Sequence, residues 1–313
     1  MAQLANSFAT FSAVGLRESL ADKIYMISPE ETPFVSAIGK GKAESVYEEW
    51  QTDALAAATN NKVEQGNEGT PAAVTATGRM GNRTQISEKV YAVTGTQEAV
   101  SKAGRKSEVA YQDAKKMVEL KRDIDFACLQ NTTAIAAAAG TAGQARGVLG
   151  FLATNTAKGA SGVDPNPTSN IAPTDGTLAT LTEAMFQSVA QKCWESGGNP
   201  TMAFVPSALR SKVSAWTGAA TKFDKTEDKT IYATVEVYVG DFGRYSIINS
   251  RNQRAREIFL IQPDMWELMT LRPMKGQDLA KTGDSQKRLI NTEWTLKCGN
   301  EAANGAVRDV QAA

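Results

Sequence analysis

Between Thr52 and Asn82 the chain reads TDALAAATNNKVEQGNEGTPAAVTATGRMGN, a stretch of small, polar and glycine residues with too few large apolar side chains to build a core. A structureless loop of that length is uncommon inside a compact domain, and where one occurs it is functional or mobile. Its flanks have a different character. Val46, Glu48 and Trp50 alternate with Tyr47 and Glu49 at period two, and the run from Arg83 to Val93 carries Ile86, Val90, Tyr91 and Val93. Both flanks therefore read as β-strands. The pattern predicts a long two-stranded arm with a flexible tip.

The residues before the arm also point outward. Pro29 and Pro33 in MISPEETPFVSAIGK each push the preceding residue away from helix, so this part reads as an extended segment. Its Ile24, Tyr25, Met26, Ile27, Phe34, Val35 and Ile38 need a surface to bury against, either elsewhere in the chain or on another subunit.

After the arm the periodicity becomes helical. Ser107 is a candidate N-cap, and Ala103, Ala110, Met117 and Ile124 recur at sevenfold spacing, reinforced by Ala114, Leu120 and Ala127, which predicts a long helix from Ser107 to about Asn131. Its cations, from Lys102 to Arg122, are interleaved with Glu108, Asp113 and Glu119, as on a solvated face. Residues 157–176, AKGASGVDPNPTSNIAPTDG, read as a surface loop. The spacing Thr180-x-x-Glu183 suggests a capping box for a helix through about Glu195, stopped at Gly197-Gly198. A strand at TMAFVP and a helix from Ser207 follow. Strands are then predicted on both sides of Gly240-Asp241-Phe242-Gly243, on both sides of Pro263-Asp264, and over Leu289–Leu296. Helices and strands mix without βαβ order, which indicates an α+β fold.

Composition narrows the chemistry. The chain has 313 residues, 34 Lys plus Arg against 34 Asp plus Glu, and no histidine. That removes Ser-His-Asp and Cys-His nucleophile pairs and imidazole metal ligands. Cys128, Cys193 and Cys298 are far apart, without a Cys-x-x-Cys pair, and read as buried free thiols. Zero net charge without a basic cluster argues against sequence-specific nucleic-acid binding. No window holds 18 consecutive apolar residues and the start lacks a signal-peptide pattern, so neither membrane insertion nor export is expected.

Three short matches to chemical motifs fail on context. Asp241-Phe242-Gly243 copies the kinase magnesium tripeptide without its companion motifs and reads as a hairpin turn. Gly39-Lys40-Gly41-Lys42 lacks the earlier glycine and the following Ser or Thr of a phosphate loop, and reads as a plain loop. Lys281 to Ser285 lacks the nucleophile-elbow pattern and reads as solvent loop. No catalytic, cofactor or metal residue is assigned.

The strings SPEETPFVSAIGK, GTQEAV, ELKRDID, RGVLGFLATN, LTEAMFQSVAQKCWESGGNP, DFG and LRPMKGQDLAKTGDSQK occur in this order along the chain. Together they resemble the major capsid proteins of tailed bacteriophages with the Hong Kong 97-type fold, from about Tyr25 to Val310. The resemblance implies an N-terminal arm at 1–42, an extended loop at 43–95, a peripheral domain with a spine helix at 96–155 and 250–300, and an axial domain at 156–249 and 301–313. It places the sequence in the group with short N-termini, for which a separate scaffolding protein is the expected assembly partner. Self-association into hexamers and pentamers is implied, with a portal protein, room for a decoration protein, and assembly in host cytoplasm into an icosahedral head around double-stranded DNA. The subunit-interface candidates are Ile24, Phe34, Tyr47, Trp50, Lys62, Glu64 and Arg83. Some relatives form Lys-Asn isopeptide links from this loop; Lys62, Asn60 and Asn61 lie there, but the sequence gives no evidence for the glutamate geometry such a link requires. An encapsulin-like compartment enclosing cargo enzymes is the alternative function on the same fold.

Overall fold

The computed structural model describes residues 28, 29, 31–69, 71, 73, 74, 76–216 and 237–312. Ile24 to Ile27, and residues 231–236 of the strand predicted before Gly240, lie outside the described residues. Helix α1 (Pro33–Ala37) leads into β1 (Gly39–Lys42), followed by β2 (Tyr47–Thr52), β3 (Gly78–Arg83) and β4 (Gln85–Thr94). Then come α2 (Gly95–Ala99), α3 (Glu108–Cys128), β5 (Thr156–Ala157), β6 (Ala179–Thr180), α4 (Glu183–Glu195), β7 (Met202–Pro206) and α5 (Ser207–Ser214). The chain closes with β8 (Val237–Gly240), β9 (Gly243–Ser250), β10 (Glu257–Ile261), β11 (Trp266–Asp278), β12 (Ser285–Cys298), β13 (Gly305–Arg308) and β14 (Val310–Gln311). Two main sheets result. One has the order β1-β11-β12-β4, the other β5-β13-β10-β7-β9-β8, while β2-β3 and β14-β6 form separate pairs.

Local chemistry explains the helices. The Ser107 hydroxyl accepts the Ala110 N–H at 3.2 Å, capping α3 where the sequence predicts. Leu120, Ile124 and Cys128 recur every four residues and bury one stripe of α3, and the helix opens at Leu129, short of Asn131. The α4 cap is Thr182, whose hydroxyl accepts the Met185 N–H at 3.4 Å; Thr180 is instead a strand residue paired with Gln311. At the other end of α4, Gly197 takes φ +85° and Gly198 donates to the Cys193 carbonyl at 2.8 Å. That is a Schellman closure, and its left-handed residue favours glycine.

The sheets correct several expectations. Gly39-Lys40-Gly41-Lys42 is not a loop but the edge strand β1, parallel to β11 with Gly39 opposite Glu267 and Lys42 opposite Thr270. The arm pairs β2 with β3, Tyr47 opposite Arg83 and Thr52 opposite Gly78, so its second strand lies in glycine-bearing sequence read as loop. Most of the strand predicted at Arg83–Val93 is β4, which joins β12 in the four-stranded sheet. The strands predicted on both sides of Pro263 are present and join different sheets: β10 pairs with β7 and β13, and β11 with β1 and β12. The predicted turn at Asp241-Phe242 is present, joining Gly240 to Gly243 across antiparallel β8 and β9.

Burial follows the two sheets. Phe34, Phe151, Trp266 and Trp294 anchor one apolar cluster with the end of α3, and Phe186, Tyr238, Tyr245 and Trp216 anchor another with α4 and α5. Phe34 is fully buried, edge-on to Phe204 at 5.7 Å and to Trp266 at 5.9 Å. Its apolar demand is therefore met inside its own chain, which removes it from the subunit-interface candidates. All three cysteines are buried free thiols. Phe34→Ala should lower unfolding stability by about 3–5 kcal/mol, the usual cost of an emptied aromatic site. Denaturant unfolding of the purified protein measures this, and a loss below about 1 kcal/mol would mean that the site is not a packed one.

Candidate assembly surface

Among the described residues, no group of three or more His, Cys, Asp or Glu side chains could hold a metal ion. Among the described residues, no helix is long and apolar enough to cross a membrane. The surface that stands apart is the arm. In β2 the side chains of Glu48, Trp50 and Thr52 turn inward and are half-buried, while Tyr47, Glu49 and Gln51 are exposed. Trp50 leans on Phe151 with ring centroids 6.2 Å apart, which fixes the inner face of the hairpin to the core.

The outer face is polar and ordered by charge. Arg79 donates to both Glu49 carboxylate oxygens, at 2.7 and 2.5 Å, and these hydrogen bonds hold the carboxyl below its ordinary pKa. The Arg83 guanidinium lies 4.8 Å from the Tyr47 ring centroid, a cation–π contact across the strand pair. Gly81 lies beneath that ring. A Cβ there would come within 2.7 Å of it, so the close packing of Tyr47 depends on glycine.

Beyond Thr52 the arm runs exposed. Lys62 and Glu64 lie in this stretch, and Leu55, Val63 and Val74 leave 100 %, 70 % and 96 % of their surface open to solvent. Tyr47, Trp50 and Arg83 are thus brought together at the base of the arm, Lys62 and Glu64 lie toward its tip, and Ile24 is outside the described residues.

Two buried polar residues that fix this geometry carry no sequence signal. Asn82 is fully buried where β3 ends, donating to the Leu296 carbonyl at 2.7 Å and the Arg146 carbonyl at 3.4 Å. Its amide oxygen accepts the N–H groups of Arg146 at 2.8 Å and Arg83 at 2.9 Å. The hinge of the arm is thereby tied to β12. Asp125 on α3 accepts the Val35 N–H at 3.0 Å and the Asn252 amide at 2.8 Å, clamping α1 to the helix. Burial raises the pKa of Asp125 and these hydrogen bonds oppose the rise. Each is defined by contacts with segments distant in sequence, so only the folded contacts reveal them.

Residues 3–311 match the SU10 major capsid protein family. The chain belongs to that family. A major capsid protein of Escherichia phage Phieco32 is 26% identical over 345 residues, covering 96% of this chain and 96% of the relative. Among solved structures, the capsid asymmetric unit of Cyanophage A-1(L) matches with TM-score 0.64 at 13% identity, covering 96% of this chain and 98% of that chain. A virus-like particle from Pyrococcus furiosus matches with TM-score 0.50 at 10% identity, over 88% and 91%. At such identities the structures speak for the fold alone, and it is the α+β Hong Kong 97-type fold that the sequence resembles. This capsid protein is accordingly a structural component of the tailed-phage virion, a major subunit of an icosahedral shell built from repeated copies. The encapsulin-like alternative is not favoured, because the family and the sequence relative are both capsid proteins.

The described residues of the arm tip add nothing to either apolar cluster, so replacing residues 54–76 by a short Gly-Ser turn should leave the subunit folded. Far-UV circular dichroism and the melting curve should match those of the intact protein, while assembled particles lose heat resistance. Unfolding of the isolated subunit would contradict this division of labour.

Proposed function

We propose that this capsid protein forms the hexamers and pentamers of a shell around packaged double-stranded DNA, assembled in host cytoplasm. The observation that carries the reading is the arm, whose base is fixed by Trp50 and Asn82 while its tip leaves Leu55, Val63 and Val74 in solvent. Apolar side chains displayed on a projecting arm are suited to burial against a neighbouring copy. In this reading α3 is the spine of the peripheral domain with the four-stranded sheet, and α4 and α5 belong to the axial domain with the six-stranded sheet. The change of sheets between Ile261 and Trp266 supports drawing the boundary of the two domains there.

A separate scaffolding protein, a portal protein and a decoration protein complete the proposed set of partners. The role is structural rather than enzymatic and uses no cofactor. In support, burial pushes the thiols of Cys128 and Cys298 well above their ordinary pKa and that of Cys193 up to about 12, away from the thiolate that nucleophilic chemistry needs. Zero net charge suits a container whose contact with DNA does not depend on base sequence.

Expression with and without a scaffolding protein, followed by light scattering and negative-stain electron microscopy, tests the proposal. Capsomers or closed shells should form once scaffold is supplied. A protein that stays monomeric under every assembly condition would overturn the reading.

A further inference from the structure

The excursion from Lys158 to Thr177, read from sequence as a surface loop, is a small antiparallel strap, with bridges between Val163 and Thr174 and between Asn166 and Ile171. Val163 and Ile171 are both more than half exposed, so apolar burial of these two does not hold it. Arginines do. At the tip, Arg146 donates to the Pro167 carbonyl at 2.8 Å and the Asn170 side-chain oxygen at 3.0 Å. Asn170 in turn bonds both the N–H and the carbonyl of Ala134, at 3.1 and 2.6 Å.

At the base, three arginines from outside the strap converge. Arg308 in β13 donates to the Val163 carbonyl at 3.0 Å and to the Thr174 carbonyl. Arg256 donates to the Gly176 carbonyl at 2.6 Å and to Asp309 at 2.7 Å, and lies 3.3 Å from Asp175. Arg254 is shared, one terminal nitrogen pairing with Asp175 on the strap and the other with Glu257 on β10. The closure is tight: a Cβ on Gly159 would come 2.0 Å from the Thr177 carbonyl oxygen and 2.9 Å from Asp309, itself held at φ +59°. Such a conformation in a non-glycine residue persists only where its surroundings enforce it.

Glu257 is the member of this cluster placed to respond to protons. It is buried at 1 % exposure, lies opposite Arg308 across the β10–β13 ladder, and one of its carboxyl oxygens has no hydrogen-bond partner. The charged groups facing it are Arg254 in its own segment, Arg308 and Asp309 from the β13 side, and Asp175 from the strap. We propose that the strap at residues 158–177 is a charge-latched element, fastened through Arg254, Arg256 and Arg308, and that the protonation state of Glu257 sets how firmly Arg254 holds Asp175. With Glu257 neutral, Arg254 serves Asp175 alone. With Glu257 ionised, Arg254 is divided between two carboxylates, and Glu257 repels both Asp175 and Asp309.

The sign follows from the same contacts. Burial raises the Glu257 carboxyl to about 7, with Arg254 opposing and Asp175 reinforcing the rise. A folded value above the unfolded one means that the stabilising contribution is present below the ordinary carboxylate range and lost as pH rises through about 7. The strap should accordingly be firmer in mild acid and looser in mild alkali.

Hydrogen exchange of the full-length protein, read by mass spectrometry at about pH 6 and about pH 8 and corrected for intrinsic rates, tests this. Peptides covering 158–177 should exchange roughly tenfold faster at the higher pH, the effect of one pKa unit of coupling, while peptides from β7 and β10 stay unchanged. Glu257→Gln should abolish the difference, and Asp175→Asn should leave the strap fast-exchanging at both values. The proposal is overturned by an absent or reversed difference in the wild type, by one shared equally with β7 and β10, or by one that survives Glu257→Gln. Should that variant not fold, a pH difference persisting in Asp175→Asn overturns it equally.

Discussion

Trp266 stands where the chain leaves the six-stranded sheet and enters the four-stranded one, and the two halves of the subunit meet around it. Its ring is fully buried, edge-on to Phe34 of α1 at 5.9 Å and to Phe151 at 5.8 Å. Each such pair adds about 0.5–1.5 kcal/mol beyond the area it buries. A buried indole N–H also needs an acceptor, and the Asn304 side-chain oxygen supplies it at 2.9 Å. The same oxygen takes the Gln262 N–H at 2.8 Å, on the stretch that links β10 to β11. One side chain thus couples the sheet change, the α1 segment and the turn before β13.

Most of the subunit's apolar demand is met within the chain around this point. The arm still displays Leu55, Val63 and Val74 to solvent. Trp50 rests on the same Phe151 that meets Trp266, so the arm's base is continuous with the central packing while its tip is free to reach a neighbour. A shell protein needs that combination of a body that folds alone and a projection that gains by association. Polar contacts then set angles that apolar contacts leave loose: Asn82 at the arm's hinge, Asp125 under α1, and the arginine cluster behind the strap.

How much of this was legible in the sequence depended on whether the information was local. Helix α3 carries its own cap at Ser107 and its own period, and was read nearly to its end; the capsid-like order of strings along the chain gave the fold and the role. Strands β1 and β3 were not legible, because Gly-Lys-Gly-Lys and Gly78–Arg83 pair through backbone groups that leave no mark on the side-chain pattern. Thr180 and Thr182 carry the same hydroxyl, and only pairing with Gln311 assigns Thr180 to a strand and leaves the α4 cap to Thr182. Phe34 looked like an interface residue in a proline-bounded segment; its partners Phe204 and Trp266 are distant in sequence. Asn82, Asp125 and Glu257 were illegible for the same reason, since each is defined by contacts with remote segments.

Native-state hydrogen exchange of the subunit under increasing denaturant tests most directly whether Trp266 joins the two sheets into one cooperative unit. The slowest amides of β7 and β10 in one sheet and of β11 and β12 in the other should merge into a single opening transition with a common denaturant dependence, and Trp266→Phe, which leaves a smaller aromatic ring and removes the N–H to Asn304, should lower both sheets together. Two separate transitions, with either sheet protected after the other has opened, would contradict the account.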